Sequence, residues 1–123
     1  MKKSILEFET IRITPKGFAK VVRHLSRFEY DKWNYGMLER MLQIILGAIE
    51  PTEWDRAFYS HELREYVWYR FNGWEYGQPE DDNESYNLWR ILHDRTIEEY
   101  GIDFDNQRNL LYHPNVRMKY PDR

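Results

Sequence analysis

Cysteine is absent from the 123 residues of this chain. Its absence excludes disulfide bonds, thiolate zinc sites and a cysteine nucleophile, and fits a domain that works in a reducing compartment. No apolar run is long enough to span a membrane, and the N-terminus lacks the apolar segment of a signal peptide, so we expect a soluble chain that does not enter a membrane. Phosphate-binding glycine loops are missing too, and no serine stands in a G-x-S-x-G setting.

Aromatic side chains, by contrast, are plentiful. The chain has ten tyrosines and five tryptophans, and aromatic residues make up 17% of it. Because a core of this size cannot bury them all, we expect some at the surface or around a cleft. In such places they could stack on bases or anchor a protein partner.

The net charge of −3 is distributed unevenly along the chain. Residues 1–40 hold nine Lys/Arg against five Asp/Glu (+4), residues 41–105 hold five against fifteen (−10), and residues 106–123 hold four against one (+3). One face could therefore attract phosphate while another attracts a basic partner.

Helical periodicity with start and stop signals predicts one all-α domain of about four helices. The helices are expected near residues 15–28, 35–49, 52–72 and 84–100, within a helical core of residues 14–101. Residues 1–13 read as an extended arm with a possible short strand, and residues 102–123 as an irregular tail that packs back on the core. His24 lies beside the apolar stripe of the first helix, where a surface or core-edge histidine is expected.

Reactive side chains concentrate on the third predicted helix. His61 and Glu65 are four residues apart and share a face, Arg64 lies beside them, and Glu62 points about 100° away. The fourth predicted helix carries His93 and, seven residues later on the same face, Tyr100; the tail carries His113. Two antiparallel helices could bring His61 and His93 together, and a returning tail could deliver His113 to the same pocket.

These groups would suffice to cleave RNA without a metal or any other cofactor. His61 and His93 would be acid and base in either order, and Glu65 would orient or assist them. A cation would bind the phosphate and stabilise the negative charge that develops on it. The available cations are Arg64, Arg90 and Arg95.

Two other readings stay open at this point. His61 and Glu65 could ligate one metal ion, completed by His93 or His113, although glutamate occupies position 65 where the zincin pattern HExxH has its second histidine. Alternatively, the acidic middle and the surplus of aromatic residues could belong to a non-enzymatic interaction module of antitoxin or adaptor type.

Short motifs stand in one order along the chain: Phe58-Tyr59-x-His61-Glu62-Leu63-x-Glu65, Leu92-His93, Tyr100-Gly101 and Tyr112-His113-Pro114. This order resembles a family of C-terminal toxin domains of bacterial polymorphic toxins, namely Rhs-repeat, contact-dependent inhibition and LXG-type proteins. The resemblance implies a ribonuclease, with tRNA as the expected substrate, that is paired with an immunity protein. It also implies delivery as part of a larger secreted protein into the cytoplasm of a target bacterium. The functional residues that the resemblance implies for this chain are His61, Glu62 or Glu65, His93 and His113.

Overall fold

The computed structural model describes residues 11–100, apart from the side chain of Tyr100, and residues 110–121. Every regular element in these two ranges is helical, which confirms the all-α prediction. The helices are α1 (Pro15–Leu25), α2 (Lys32–Ile45), α3 (Glu53–Phe71), α4 (Asp82–Tyr100) and α5 (Pro114–Lys119). The possible N-terminal strand lies mostly outside the described residues. Within those residues, no helix combines the length and apolarity needed to cross a membrane.

Local capping explains where α1 and α3 begin. The Thr14 side chain accepts a hydrogen bond from Gly17 N, and Pro15 follows at the first helical position. Thr52 and Asp55 form a reciprocal capping box at the start of α3, in which each side chain accepts from the other residue's backbone N–H. Both starts agree with the sequence prediction.

Two other regions differ from the prediction. The second helix begins three residues earlier than predicted, because the Asp31 side chain accepts from Trp33 N and Asn34 N and so caps α2. The tail is not wholly irregular, because α5 begins at Pro114, inside the segment that was predicted to have no regular structure. Its described part packs back on the core through the buried side chains of Leu111 and Val116.

Helix α3 is the element around which the others pack, since it contacts α1, α2 and α4. It buries ten residues, against four for α2, although apolar residues around most of its circumference predict α2 as the most buried helix. Helix α2 instead leaves Leu42 and Leu46 exposed to solvent. A central helix that buries charged residues as well as apolar ones is what positions the site described next.

Candidate active site

The buried face of α3 contains an unusual row of polar residues. His61, Glu62 and Glu65 are 1%, 7% and 2% exposed. A buried ionised group is costly unless it is paired and hydrogen-bonded, so each of these side chains needs a partner from a neighbouring helix.

The partners are histidines that converge on Glu65 from three different helices. His24 Nε2 of α1 lies 3.1 Å from Glu65 Oε1, and His93 Nδ1 of α4 lies 3.0 Å from Oε2. His61 Nε2, one turn before Glu65 on α3, lies 3.3 Å from the same Oε2. Glu62 joins the group through its Oε2, which is 3.5 Å from His24 Nε2. We call these five residues the histidine–glutamate cluster.

This arrangement keeps Glu65 ionised. Burial alone would raise the pKa of Glu65, but the hydrogen bonds from His24, His61 and His93 together lower it well below its ordinary value. For His24 the balance goes the other way, because burial lowers its pKa more than the attraction of Glu65 raises it. The cluster therefore combines a stable carboxylate with at least one histidine that favours its neutral form.

The unused ring nitrogens indicate where the ring protons lie. Among the described residues, Nδ1 of His24 and Nδ1 of His61 are buried without a hydrogen-bond partner. An N–H at either Nδ1 would be left unsatisfied in the core, which costs about 1–3 kcal/mol. We therefore place the proton of both rings on the Nε2 that faces Glu65, and His24, whose pKa is lowered, is neutral.

A cavity of about 330 Å³ lies beside the cluster. Its polar wall consists of His61, Glu62, Glu65 and His93, while His24 stands behind Glu65 and does not line it. Its apolar wall is mainly aromatic, and Asn34 also contributes to the lining. The apolar residues are Leu25, Phe28, Trp89, Leu111 and Tyr112.

His93 occupies a distinct position within this arrangement. It is the most exposed of the three histidines, at 9%, and its ring stacks on Trp89 with centroids 4.7 Å apart and planes 16° apart. Its Nδ1 lies against Glu65 Oε2, which fixes the orientation of the ring. A histidine oriented by a carboxylate at Nδ1 is the arrangement that general acid–base catalysis uses.

The prediction for His113 is not met. This side chain accepts a hydrogen bond from Asn115 N and so caps α5, and its ring contacts Trp54 instead of the cluster. Burial lowers its pKa, with Arg40 and Asp55 acting as nearby charges. Asp55 lies in the first turn of α3, about 15 Å along the helix from Glu65, so His113 lies toward the N-terminal end of α3 although the preceding Leu111 and Tyr112 line the cavity.

The predicted phosphate-binding arginines also lie away from the cavity. Arg64 Nε donates to Glu99 Oε2 at 2.8 Å, and both Arg64 and Arg95 place their guanidinium groups over the Trp68 ring. Arg90 is exposed, and no arginine is among the described residues that line the cavity. The side chain of Tyr100, another predicted site residue, lies outside the described part of the chain.

Sequence reasoning missed three residues of the site: His24, Asn34 and Trp89. Trp89 and His24 each had a signal: Trp89 precedes His93 by four residues on one face of α4, and His24 follows the buried Val21 by three residues on one face of α1. That spacing fits a core-edge histidine equally well. Without knowing that α1 packs on α3, nothing in the sequence joins His24 to Glu65.

A metal ion could be considered at two overlapping groups of ligand atoms, His61–Glu65–His93 and His24–Glu62–Glu65, each with all atoms within 4.8 Å of one another. Metal-bound histidines almost always donate their other ring N–H to a second partner. His24 and His61 have no such partner at Nδ1 among the described residues. The donor set therefore fits protons better than a metal.

In comparisons with protein-family models, curated proteins and solved structures, nothing matched this chain. Function must therefore be inferred from the chemistry of the site.

Proposed function

We propose that this chain is a metal-independent ribonuclease domain of the type that forms the toxic end of bacterial polymorphic toxins. The observation that carries the proposal is the joint exposure of Glu62 and His93 to one cavity, with Glu65 holding His93 by Nδ1. Such a cavity offers two separate groups for proton transfer, which is what cleavage of RNA through its own 2′-hydroxyl requires.

The chemistry divides between these two groups. The Glu62 carboxylate takes the proton of the ribose 2′-hydroxyl as its oxygen forms a bond to phosphorus. The bond from phosphorus to the 5′-oxygen breaks, and the His93 imidazolium gives that oxygen a proton from Nε2. The products are a 2′,3′-cyclic phosphate and a free 5′-hydroxyl, and Glu65 stabilises the charged form of His93 while it acts.

This assignment changes the role expected for His61. Among the described residues its buried Nδ1 has no hydrogen-bond partner and its Nε2 faces Glu65, so in this proposal His61 serves to hold Glu65 in place. Glu62 replaces it as the second proton-transfer group. With the predicted arginines outside the cavity, the positive charge near the phosphate comes from His93 itself.

The biological setting follows from the toxin proposal. The substrate would be an RNA in the cytoplasm of a target bacterium, with tRNA the leading candidate, and the producing cell would need a cognate immunity protein. The domain would reach its target as part of a larger secreted protein.

The test is cleavage of total bacterial RNA by the purified chain in the presence of EDTA, with analysis of the new ends. We expect 2′,3′-cyclic phosphate ends, and a loss of at least about 100-fold in rate for Glu62→Gln and for His93→Gln. His113→Gln is the matched control and should cleave at the wild-type rate, because His113 lies away from the cluster.

Intact RNA, or equal cleavage by His93→Gln and the wild type, would contradict the proposal. Cleavage that stops in EDTA and returns with a stoichiometric divalent ion would point to metal-dependent hydrolysis by the same residues instead.

A further inference from the structure

A second concave surface adjoins the cavity. It is a groove of about 270 Å³ between the end of α1 and the first turns of α2. Its walls include Val22, Phe28, Tyr30, Asn34, Tyr35 and Leu38. We call this surface the tyrosine groove.

The groove and the cavity are direct neighbours. Leu25, Phe28 and Asn34 line both of them, so a single layer of side chains separates the two spaces. A polymer that places one unit in the cavity would therefore contact the groove with the adjacent units.

Two tyrosines in the groove face solvent. Tyr30 is 70% exposed and Tyr35 is 49% exposed, and their ring centroids lie 5.5 Å apart. Aromatic rings presented in this way bind nucleic acid by stacking on unpaired bases, whatever the base identity. A paired base in an A-form duplex does not offer its face for such stacking.

Charge favours the same occupant. Residues 11–40, which contain α1 and the start of α2, hold seven Lys/Arg against three Asp/Glu (+4). Residues 41–100 hold five against thirteen (−8). Arg23 and Arg40 are paired with Glu75 and Asp55, which leaves five Lys/Arg against three Asp/Glu (+2) in residues 11–40, so a phosphate backbone is still attracted to the α1–α2 side of the molecule. Glu29 and Asp31 line the groove and oppose this attraction, although the Asp31 carboxylate faces the backbone N–H groups at the start of α2.

Asn34 stands at the junction of the two spaces. Its Oδ1 accepts a hydrogen bond from Tyr112 Oη at 2.7 Å, which orients the amide. The Nδ2 group is then the donor that can reach an acceptor on a base edge.

We propose that the tyrosine groove binds the nucleotides that flank the cleavage site of a single-stranded RNA, while the nucleotide that is cleaved occupies the cavity. This inference rests on the proposed ribonuclease function and adds the substrate class: unpaired RNA, such as a loop, held by stacking on Tyr30 and Tyr35.

The test measures binding separately from cleavage. Fluorescence anisotropy is recorded with the full chain and a labelled 2′-O-methyl oligonucleotide, which has no 2′-hydroxyl to attack and stays intact. We expect the double variant Tyr30→Ala/Tyr35→Ala to bind the single strand at least about tenfold more weakly than the wild type. The matched control Phe71→Ala removes an aromatic ring that is 80% exposed outside the groove, and should bind as the wild type does.

Each outcome separates the two proposals. Equal binding by the double variant and the wild type, or preference for a duplex of the same sequence, overturns the groove proposal and leaves the ribonuclease assay to be judged by itself. Binding that depends on the two tyrosines, with no cleavage of unmodified RNA, supports the groove and removes the ribonuclease. Absence of binding by the wild type overturns the groove proposal whether or not RNA is cut.

Discussion

Glu65 is the residue on which the site depends, because one buried carboxylate organises side chains from three helices. Its partners differ in what they can do chemically. Among the described residues, His24 and His61 each have a buried Nδ1 without a hydrogen-bond partner, whereas His93 is the most exposed of the three and stacks on Trp89. In the proposed mechanism the same residue type therefore supplies two fixed donors and one proton-transfer group.

The pKa of His24 makes folding stability depend on pH. Burial lowers this pKa below its ordinary value of 6.5, so at mildly acidic pH the unfolded chain binds a proton at His24 that the folded chain does not. Stability is therefore lost as the pH falls from about 6.5 through the lower folded-state pKa. Glu65 adds a further loss below its ordinary pKa of 4.5, since its folded-state pKa is also lowered.

We predict that His24→Gln makes the stability of the protein less dependent on pH between neutrality and about pH 5.5. Glutamine can keep a hydrogen bond to Glu65 but does not titrate. Urea unfolding at several pH values measures the effect. Equal pH slopes for the variant and the wild type would show that His24 is not buried in its neutral form.

At the scale of the elements, the cluster requires that α1 and α3 lie very close together. Gly17 of α1 packs so tightly on α3 that a Cβ atom there would lie 1.6 Å from Tyr59 Oη. Tyr59 is itself buried, so it has little room to move aside. This close approach brings α1, with His24 near its end, against the middle of α3.

We predict that Gly17→Ala destabilises the protein by about 1–3 kcal/mol, despite the better helix propensity of alanine, because the added methyl forces the helices apart. Gly36→Ala is the comparison, since its Cβ would meet a Val116 methyl at 2.9 Å, a milder clash at the contact of α2 with α5. Thermal unfolding should rank Gly17→Ala as the less stable of the two; the reverse order would contradict the α1–α3 packing.

Arg27 links the end of α1 to the connection between α3 and α4. Its guanidinium lies over the Tyr69 ring at 4.1 Å and donates to the carbonyl oxygens of Trp74 and Gly77, each at 2.9 Å. A planar group with several fixed donors can satisfy this set, whereas an ammonium group cannot reach all of it.

We predict that Arg27→Lys lowers the free energy of unfolding by about 1–3 kcal/mol, because carbonyl groups in the connection between α3 and α4 lose their hydrogen-bond donors. Arg12→Lys, at an exposed position, is the control and should be close to neutral. Urea unfolding of the two variants measures the difference, and equal stabilities would argue against the role of Arg27 as a link.

Over the whole molecule, the sequence was sufficient for the helical class and for much of the site. Capping residues and breakers located α1 and α3, and the spacing of His61 and Glu65 placed them on one face. His93 meets them because α4 packs on α3, a contact between residues far apart in the sequence. The first two features depend on local spacing, which a sequence displays directly.

Features that depend on contacts between residues far apart in the sequence could not be predicted in this way. Periodicity shows which residues share a face but not which helix covers it, so the burial of α3 exceeded that of the more apolar α2. For the same reason His24 was missed. The tail does return to the core, but nothing in its sequence specifies which end of the 19-residue α3 it meets, and His113 lies at the end away from the cluster.

The central claim is that three histidines donate to one buried carboxylate and that only His93 carries the mobile proton. The most direct measurement is a long-range ¹H–¹⁵N correlation spectrum of the histidine rings, recorded between about pH 5 and pH 8. We predict that His24 remains neutral with its proton on Nε2, and that the spectrum shows the His61 proton on Nε2 and a His93 proton on Nδ1, the atoms that face Glu65. If His24 instead titrates like a solvent-exposed histidine, the buried cluster does not exist and the proposed catalytic site is contradicted.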